Sequence, residues 1–206
     1  MNPTPAQLEA LREADPALGA AMSRLVPFPG FPVGETARGS HFESLARSIV
    51  FQQLATNAAR SIYDRARAIT PGPRFPNPPQ VLETSDERFR QAGLSAAKTK
   101  AIKALATCCE DGTVRLRKVG KMEDAEVIEM LTQVWGVGEW TAQMFLIFRL
   151  GRLDVMPAGD LGVREGAKRL YQLETRPTPK DLLERSELWR PLRSVATWVL
   201  YRVCDE

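Results

Sequence analysis

Two stretches with helical spacing meet at Gly136-Val137-Gly138, and that junction constrains the chain more than any other feature. Before it, residues 123–131 place apolar side chains at Ala125, Val127, Ile128 and Leu131 with acids between them. After it, Trp140, Ala142, Met144, Phe145, Leu146, Ile147, Phe148 and Leu150 leave residues 140–150 apolar nearly all round. A helix apolar on every side is usually buried. Glycine lets a backbone turn sharply and lets another group approach closely. The segment 134–142 therefore predicts a tight hairpin between two helices. Its glycines stand just before a helix start, where N–H groups lack partners within the helix and the helix dipole favours an anion, phosphate above all. A plain connection between two packed helices would use the same residues.

The rest of the chain carries the same period. Residues 4–25 read as two short helices broken near Asp15-Pro16, and 27–39 as a Pro/Gly loop with Phe28 and Phe31 available to pack. Ser40-His41-Phe42-Glu43 has the capping-box pattern and opens a helix with Phe42, Leu45, Ile49 and Val50 on its apolar face. A second helix over 56–69 is basic on one side, at Arg60, Arg65 and Arg67. Five prolines in 70–79 rule out regular structure there. One or two short helices follow over 79–90. Ser95 caps a helix to Cys109, with Ala101, Ile102, Leu105 and Ala106 inward and Lys98, Lys100 and Lys103 outward. Beyond the hairpin, a helix is expected over 161–173. Pro177 and Pro179 break the chain, and a last helix over 188–203 tolerates Pro191 in its first turn. No alternating run of useful length occurs, so the expected fold is all-α.

Composition excludes several classes of chemistry. One histidine, His41, argues against a histidine zinc site or a serine triad, and three cysteines, two of them the adjacent Cys108-Cys109, form neither a disulfide framework nor a metal spacing. A formal charge of +3 over 206 residues is too small to announce nucleic acid, so any such surface must come from local placement. No run is long and apolar enough to span a bilayer, and no basic-then-apolar leader opens the sequence. The expectation is a reduced, cytoplasmic protein with no membrane partner.

Asp160 follows the apolar segment in Asp154-Val155-Met156-Pro157-Ala158-Gly159-Asp160-Leu161-Gly162 and opens a helix. As an N-cap it satisfies free N–H groups. At the rim of a cleft, the same carboxylate would stabilise a growing positive charge or orient a water. The hairpin and this Pro/Gly loop together resemble the helix-hairpin-helix DNA glycosylases, and most closely their 3-methyladenine DNA glycosylase II group. The resemblance spans residues 40–201 and is most specific over 134–162.

That resemblance implies a two-lobed helical fold, with residues 40–115 in one lobe and 1–39 with 116–206 in the other. It implies Asp160 as the catalytic aspartate, with Asp154 fixing the loop. Trp140 and Tyr201 become walls of a base pocket, Trp140 having core packing as its other reading. Aromatic faces suit a cationic base, each worth about 0.5–2 kcal/mol. Ile49-Val50-Phe51-Gln52-Gln53-Leu54 is similar to a family segment that fills the hole left by a flipped nucleotide, with Gln53 and Leu54 as the plug. The N–H groups of Gly136, Gly138 and Trp140, with the Thr141 hydroxyl, would meet a phosphate. Ser95, Lys98 and Lys100 resemble a family Ser-x-x-Lys phosphate contact. The backbone carbonyls of Thr132, Val134 and Val137 would hold a structural Na⁺ or K⁺; no other cofactor is implied.

Three departures shape the expected reaction. Relatives that also nick DNA carry a lysine before the Thr-Ala pair, where its amine attacks C1′; Trp140 occupies that place and forms no Schiff base. Relatives with an iron–sulfur cluster have four closely spaced cysteines near the C-terminus; only Cys204 lies there, so no cluster is expected. The chain begins almost directly with helices, as in the short form without an N-terminal β domain. The implied function is a monomeric, monofunctional glycosylase that excises alkylated purines, 3-methyladenine and 7-methylguanine among them, from double-stranded DNA. The rivals are a glycosylase for an oxidised, deaminated or mismatched base, and a non-catalytic DNA-binding protein that uses the hairpin alone.

Overall fold

The computed structural model describes residues 2–32 and 39–206, with only the main chain at Thr56. The part of the expected Pro/Gly loop at 33–38 lies outside the described residues. Among those described, twelve α-helices and no strand occur. In order they are α1 (Pro5–Ala14), α2 (Pro16–Arg24), α3 (His41–Phe51), α4 (Thr56–Arg67), α5 (Pro78–Glu83), α6 (Asp86–Gln91), α7 (Ala96–Glu110), α8 (Asp124–Thr132), α9 (Glu139–Phe145), α10 (Leu161–Leu170), α11 (Pro179–Ser186) and α12 (Arg193–Asp205). The all-α expectation holds. No helix among the described residues is long and apolar enough to cross a membrane.

The chain divides into two compact units, Met1–Val33 with Leu146–Glu206, and Gly34–Phe145. The expected lobe boundary differs: residues 116–145, placed with the termini by the sequence reading, belong to the other unit. The reason is packing, since α9 lies against α3 and α8, and Gly136 lies against α7.

In the unit that holds both termini, α12 is central and packs on α10 and α2. Val195, Ala196, Val199 and Leu200 are fully buried. Burial of a valine or leucine side chain is worth about 1.5–3 kcal/mol, so this one face carries much of the unit's stability. Gly166 is required by the crossing: a Cβ there would lie 2.0 Å from the Leu200 carbonyl oxygen. The break between α1 and α2 falls where expected, with Thr4 and Asp15 as caps and a proline in each first turn. Phe28 and Phe31 do pack, edge-on to each other at 4.9 Å and onto Trp198 and Phe148 at 5.4 and 5.8 Å.

The last quarter of the chain departs from the sequence reading in two places. Pro179 opens α11 instead of breaking the chain, because Thr178 caps it and exchanges hydrogen bonds with Asp181. Pro191 lies ahead of α12, not inside it; a 3-10 turn at Glu187–Trp189 covers the residues between. In the other unit, α3 packs on α4, α7 and α9. Ser40 caps α3, and the Glu43 carboxylate accepts from the Tyr63 hydroxyl and the Phe75 N–H. The apolar segment after the hairpin is α9 followed by a wide π-type turn at Leu146–Leu150.

Candidate active site

Asp160 is the N-cap of α10, with its Oδ1 accepting from the Val163 N–H at 2.8 Å. Its side chain is 9% exposed, so it lies at the edge of the core. The loop before it turns tightly, through Met156 O to the Ala158 N–H at 3.0 Å and Pro157 O to the Asp160 N–H at 2.9 Å. Val155, Met156 and Ala158 are buried, so this loop is a fixed support.

Gly162 shows what faces the carboxylate. A Cβ there would lie 3.2 Å from Asp160 Oδ1 and 3.1 Å from Tyr201 Cε1. The carboxylate and the ring edge thus converge on one point, brought together because α10 and α12 cross at Gly166. Tyr201 is half-buried and is flanked by Phe148, ring centroids 6.2 Å apart. Leu161, the residue after Asp160, is 61% exposed. The sequence reading named Tyr201 but missed Phe148 and Leu161; Phe148 was absorbed into an apolar helix and Leu161 carries no signal beyond its position.

Asp154 fixes the loop, as expected. Its carboxylate accepts from Arg193 Nε at 2.7 Å and Arg190 Nη1 at 2.8 Å, and its carbonyl from Arg193 Nη2 at 2.7 Å. The Ser194 hydroxyl accepts from the Val155 N–H. The loop that leads to Asp160 is therefore tied to the start of α12.

The second group of residues lies in the unit Gly34–Phe145. The hairpin is built as its glycines predict: Gly136 has φ 83°, and a Cβ there would lie 2.7 Å from Ala101 Cβ. Gly138 meets open space, and its carbonyl accepts the first helical bond of α9 from the Ala142 N–H at 3.2 Å. Trp140 is 37% exposed, which does not fit the core-packing alternative. Trp135, which the sequence reading passed over, is 47% exposed, and the Lys100 ammonium stands 4.2 Å from its ring centre.

Two expected phosphate contacts are engaged inside the protein. Thr141 is 2% exposed, and its Oγ1 accepts from Gln52 Nε2 at 3.0 Å. The Lys98 Nζ donates to the carbonyls of Val50 at 2.7 Å and Gln52 at 2.8 Å. Burial pushes the Lys98 pKa below the usual lysine range. Lys98 was read as outward because Ala101, Ile102, Leu105 and Ala106 make the inward face of α7, but its stem reaches across to the end of α3. Ser95 caps α7 through the Lys98 N–H at 3.2 Å and is exposed. Gln53 and Leu54 both project at the surface after α3, Gln53 with φ 54° and Leu54 40% exposed. Of the carbonyls expected to hold a cation, that of Val134 accepts from the Val137 N–H at 3.0 Å, using one of its two lone pairs. Carbonyl oxygens are suitable donors for a hard monovalent ion.

The carboxylate and the aromatic edge belong to one unit, and the glycine hairpin and the exposed Gln53 and Leu54 to the other. The chain belongs to the HhH-GPD superfamily of base excision DNA repair proteins, which it matches over residues 46–191. It is 37% identical over 162 residues to DNA-3-methyladenine glycosylase 1 of Schizosaccharomyces pombe, covering 78% of this chain and 71% of that protein. Among solved structures it is similar to the 3-methyladenine DNA glycosylase of the same yeast in complex with abasic DNA. There the TM-score is 0.89 and the identity 32%, over 96% of this chain and 95% of that one. It is also similar to a DNA-3-methyladenine glycosidase of Bacillus halodurans, with TM-score 0.81 and 33% identity over 99% and 91% of the two chains.

Proposed function

We infer that this chain is a monofunctional DNA glycosylase of base excision repair, which flips alkylated bases out of DNA and hydrolyses their N-glycosidic bonds, leaving abasic sites. The observation that carries this reading is the convergence of Asp160 Oδ1 and the Tyr201 ring on one point beside Gly162, in a chain whose relatives are 3-methyladenine glycosylases. The proposed substrates are cationic purines, 3-methyladenine and 7-methylguanine, in double-stranded DNA, acted on by a monomer.

Cleavage builds positive charge on the sugar, and the Asp160 carboxylate would stabilise it or orient the attacking water. A cationic base is already a good leaving group, so little acid catalysis is needed, in keeping with a single histidine, His41. Tyr201 would offer a π face to that cation. Phosphate would be held by backbone N–H groups at Gly136 and Gly138, with Ser95 near the start of α7, rather than by Thr141 or the Lys98 ammonium. Gln53 and Leu54 would fill the space of the flipped nucleotide, whose extrusion costs a few kcal/mol. A Na⁺ or K⁺ on the Thr132, Val134 and Val137 carbonyls would add positive charge beside the phosphate. The Trp140 indole cannot act as an amine nucleophile, so the product strand should stay intact until alkali is added. Strand breaks trapped by borohydride would contradict this. The direct test of the whole reading is mass spectrometry of bases released from methylated DNA: free methylpurines are expected, and none released would end it.

A further inference from the structure

The C-terminal end of α3 is gripped by side chains from two directions. Lys98 Nζ donates to the Val50 and Gln52 carbonyls at 2.7 and 2.8 Å. Gln52 Nε2 in turn donates to the Gly136 carbonyl at 3.2 Å and to Thr141 Oγ1 at 3.0 Å. A side-chain amide has two N–H groups, so both bonds form together. One residue later Gln53 takes φ 54°, a left-handed conformation that is strained for a non-glycine residue and persists only where the surroundings impose it. Leu54 then projects into solvent. The Lys98 ammonium is half-buried yet lies at the negative end of the α3 dipole, where last-turn carbonyls lack helical partners.

We propose that Lys98 and Gln52 are positioning residues: together they lock the Gln53–Leu54 turn to the hairpin, so that plug and phosphate grip are presented at one fixed offset. This rests on the reading of Gln53–Leu54 as the plug. The physical gain is preorganisation. A turn already held in place does not have to be ordered while the nucleotide leaves the stack. The role assigned to Lys98 is distinct from a phosphate contact, because its ammonium is turned inward on main-chain oxygens.

The test uses single-turnover base release by the full chain and its Lys98→Met, Gln52→Ala and Leu54→Ala variants. The substrates are two duplexes with one 7-methylguanine, either paired with cytosine or facing a one-nucleotide gap, where less pairing is lost on flipping. Lys98→Met and Gln52→Ala should lose about tenfold more rate on the paired lesion than on the gapped one, the loss expected when a preformed contact worth one or two hydrogen bonds is removed. Lys98→Arg, which keeps donors for both carbonyls, should recover most of it. The salt dependence of binding should be unchanged in Lys98→Met, because a lost phosphate contact would lower the slope by about one. Equal losses on the two duplexes, or that lower slope, would overturn the proposal. If Lys98→Met melts below the assay temperature, Gln52→Ala carries the test. A Leu54→Ala variant indifferent to pairing would overturn the plug reading, whereas a selective Leu54→Ala beside indifferent Lys98→Met and Gln52→Ala would overturn only the coupling.

Discussion

Asp15 and Asp160 are both buried aspartates in the same unit, and both cap a helix by accepting the N–H three residues on, from Leu18 at 3.0 Å and Val163 at 2.8 Å. They differ in the aromatic side chains beside them. Asp15 Oδ2 accepts the Tyr171 hydroxyl at 2.6 Å and the Trp189 indole N–H at 3.0 Å, joining the α1–α2 junction to two distant parts of the chain. Asp160 instead faces the edge of the Tyr201 ring across Gly162, with the exposed Leu161 beside it. One local motif thus serves two ends. Asp15 is a structural tie between distant parts of the chain; Asp160 stands beside a half-buried aromatic edge, where the proposed reaction would bring the substrate.

The sharpest break between the two is chemical. Asp160→Asn keeps a good N-cap, so folding and DNA affinity should persist, while base release should fall by about a thousandfold or more as the charge that stabilises the sugar cation disappears. Single-turnover release from methylated DNA measures it, and wild-type turnover by the variant would defeat the catalytic assignment. The converse holds for Asp15→Ala. That change leaves a buried hydroxyl and indole N–H without their acceptor and should destabilise the fold by about 2–4 kcal/mol in urea unfolding. The turnover of the folded fraction should be unchanged.

Asp160, Ser40 and Ser95 were legible from sequence as caps, whereas Asp15 was read only as the break between two helices, although its place before Pro16 is the same signal. The different roles of the two aspartates were not legible, because Tyr171, Trp189 and Tyr201 reach them from far along the chain. The same limit hid Lys98 and Gln52: spacing along a helix says which face a residue leaves from, not what a long side chain reaches. Local rules also competed. Pro177 and Pro179 were read as breaks, yet proline at the first turn after a threonine cap is a helix start, and α11 begins there. The hairpin was legible because two glycines at a helix start serve backbone demands that few other residues meet. Its membership in the same unit as α3 and α7 depends on packing, and no local pattern encodes that.

A capping aspartate placed where a phosphate is expected would turn the comparison around. Gly138 precedes α9 and its added Cβ meets open space, so Gly138→Asp introduces a cap without a clash. Thermal stability should hold or rise slightly, while affinity for any DNA sequence should weaken by about tenfold, because a fixed carboxylate now faces the phosphate. Gly136 cannot serve here, since its φ of 83° and the nearby Ala101 would confound binding with strain. Unchanged affinity in Gly138→Asp would make the hairpin a connector.

The smallest effect concerns acid. Burial works against the Asp15 charge, but the bonds from Tyr171, Trp189 and the Leu18 N–H outweigh it and hold its pKa below the ordinary aspartate value of 3.8. A folded-state pKa below the unfolded one means that the unfolded chain binds protons first. The contribution of Asp15 to stability is therefore full above the unfolded value and is lost as pH falls through the folded one. Urea unfolding followed downward from neutral pH should show wild-type stability declining below about pH 4. Asp15→Asn should start lower and lack that part of the decline, so the two curves converge in acid. Parallel curves would mean that Tyr171 and Trp189 stabilise the neutral carboxyl as well as the charged one, and the tie would then be one of shape rather than charge.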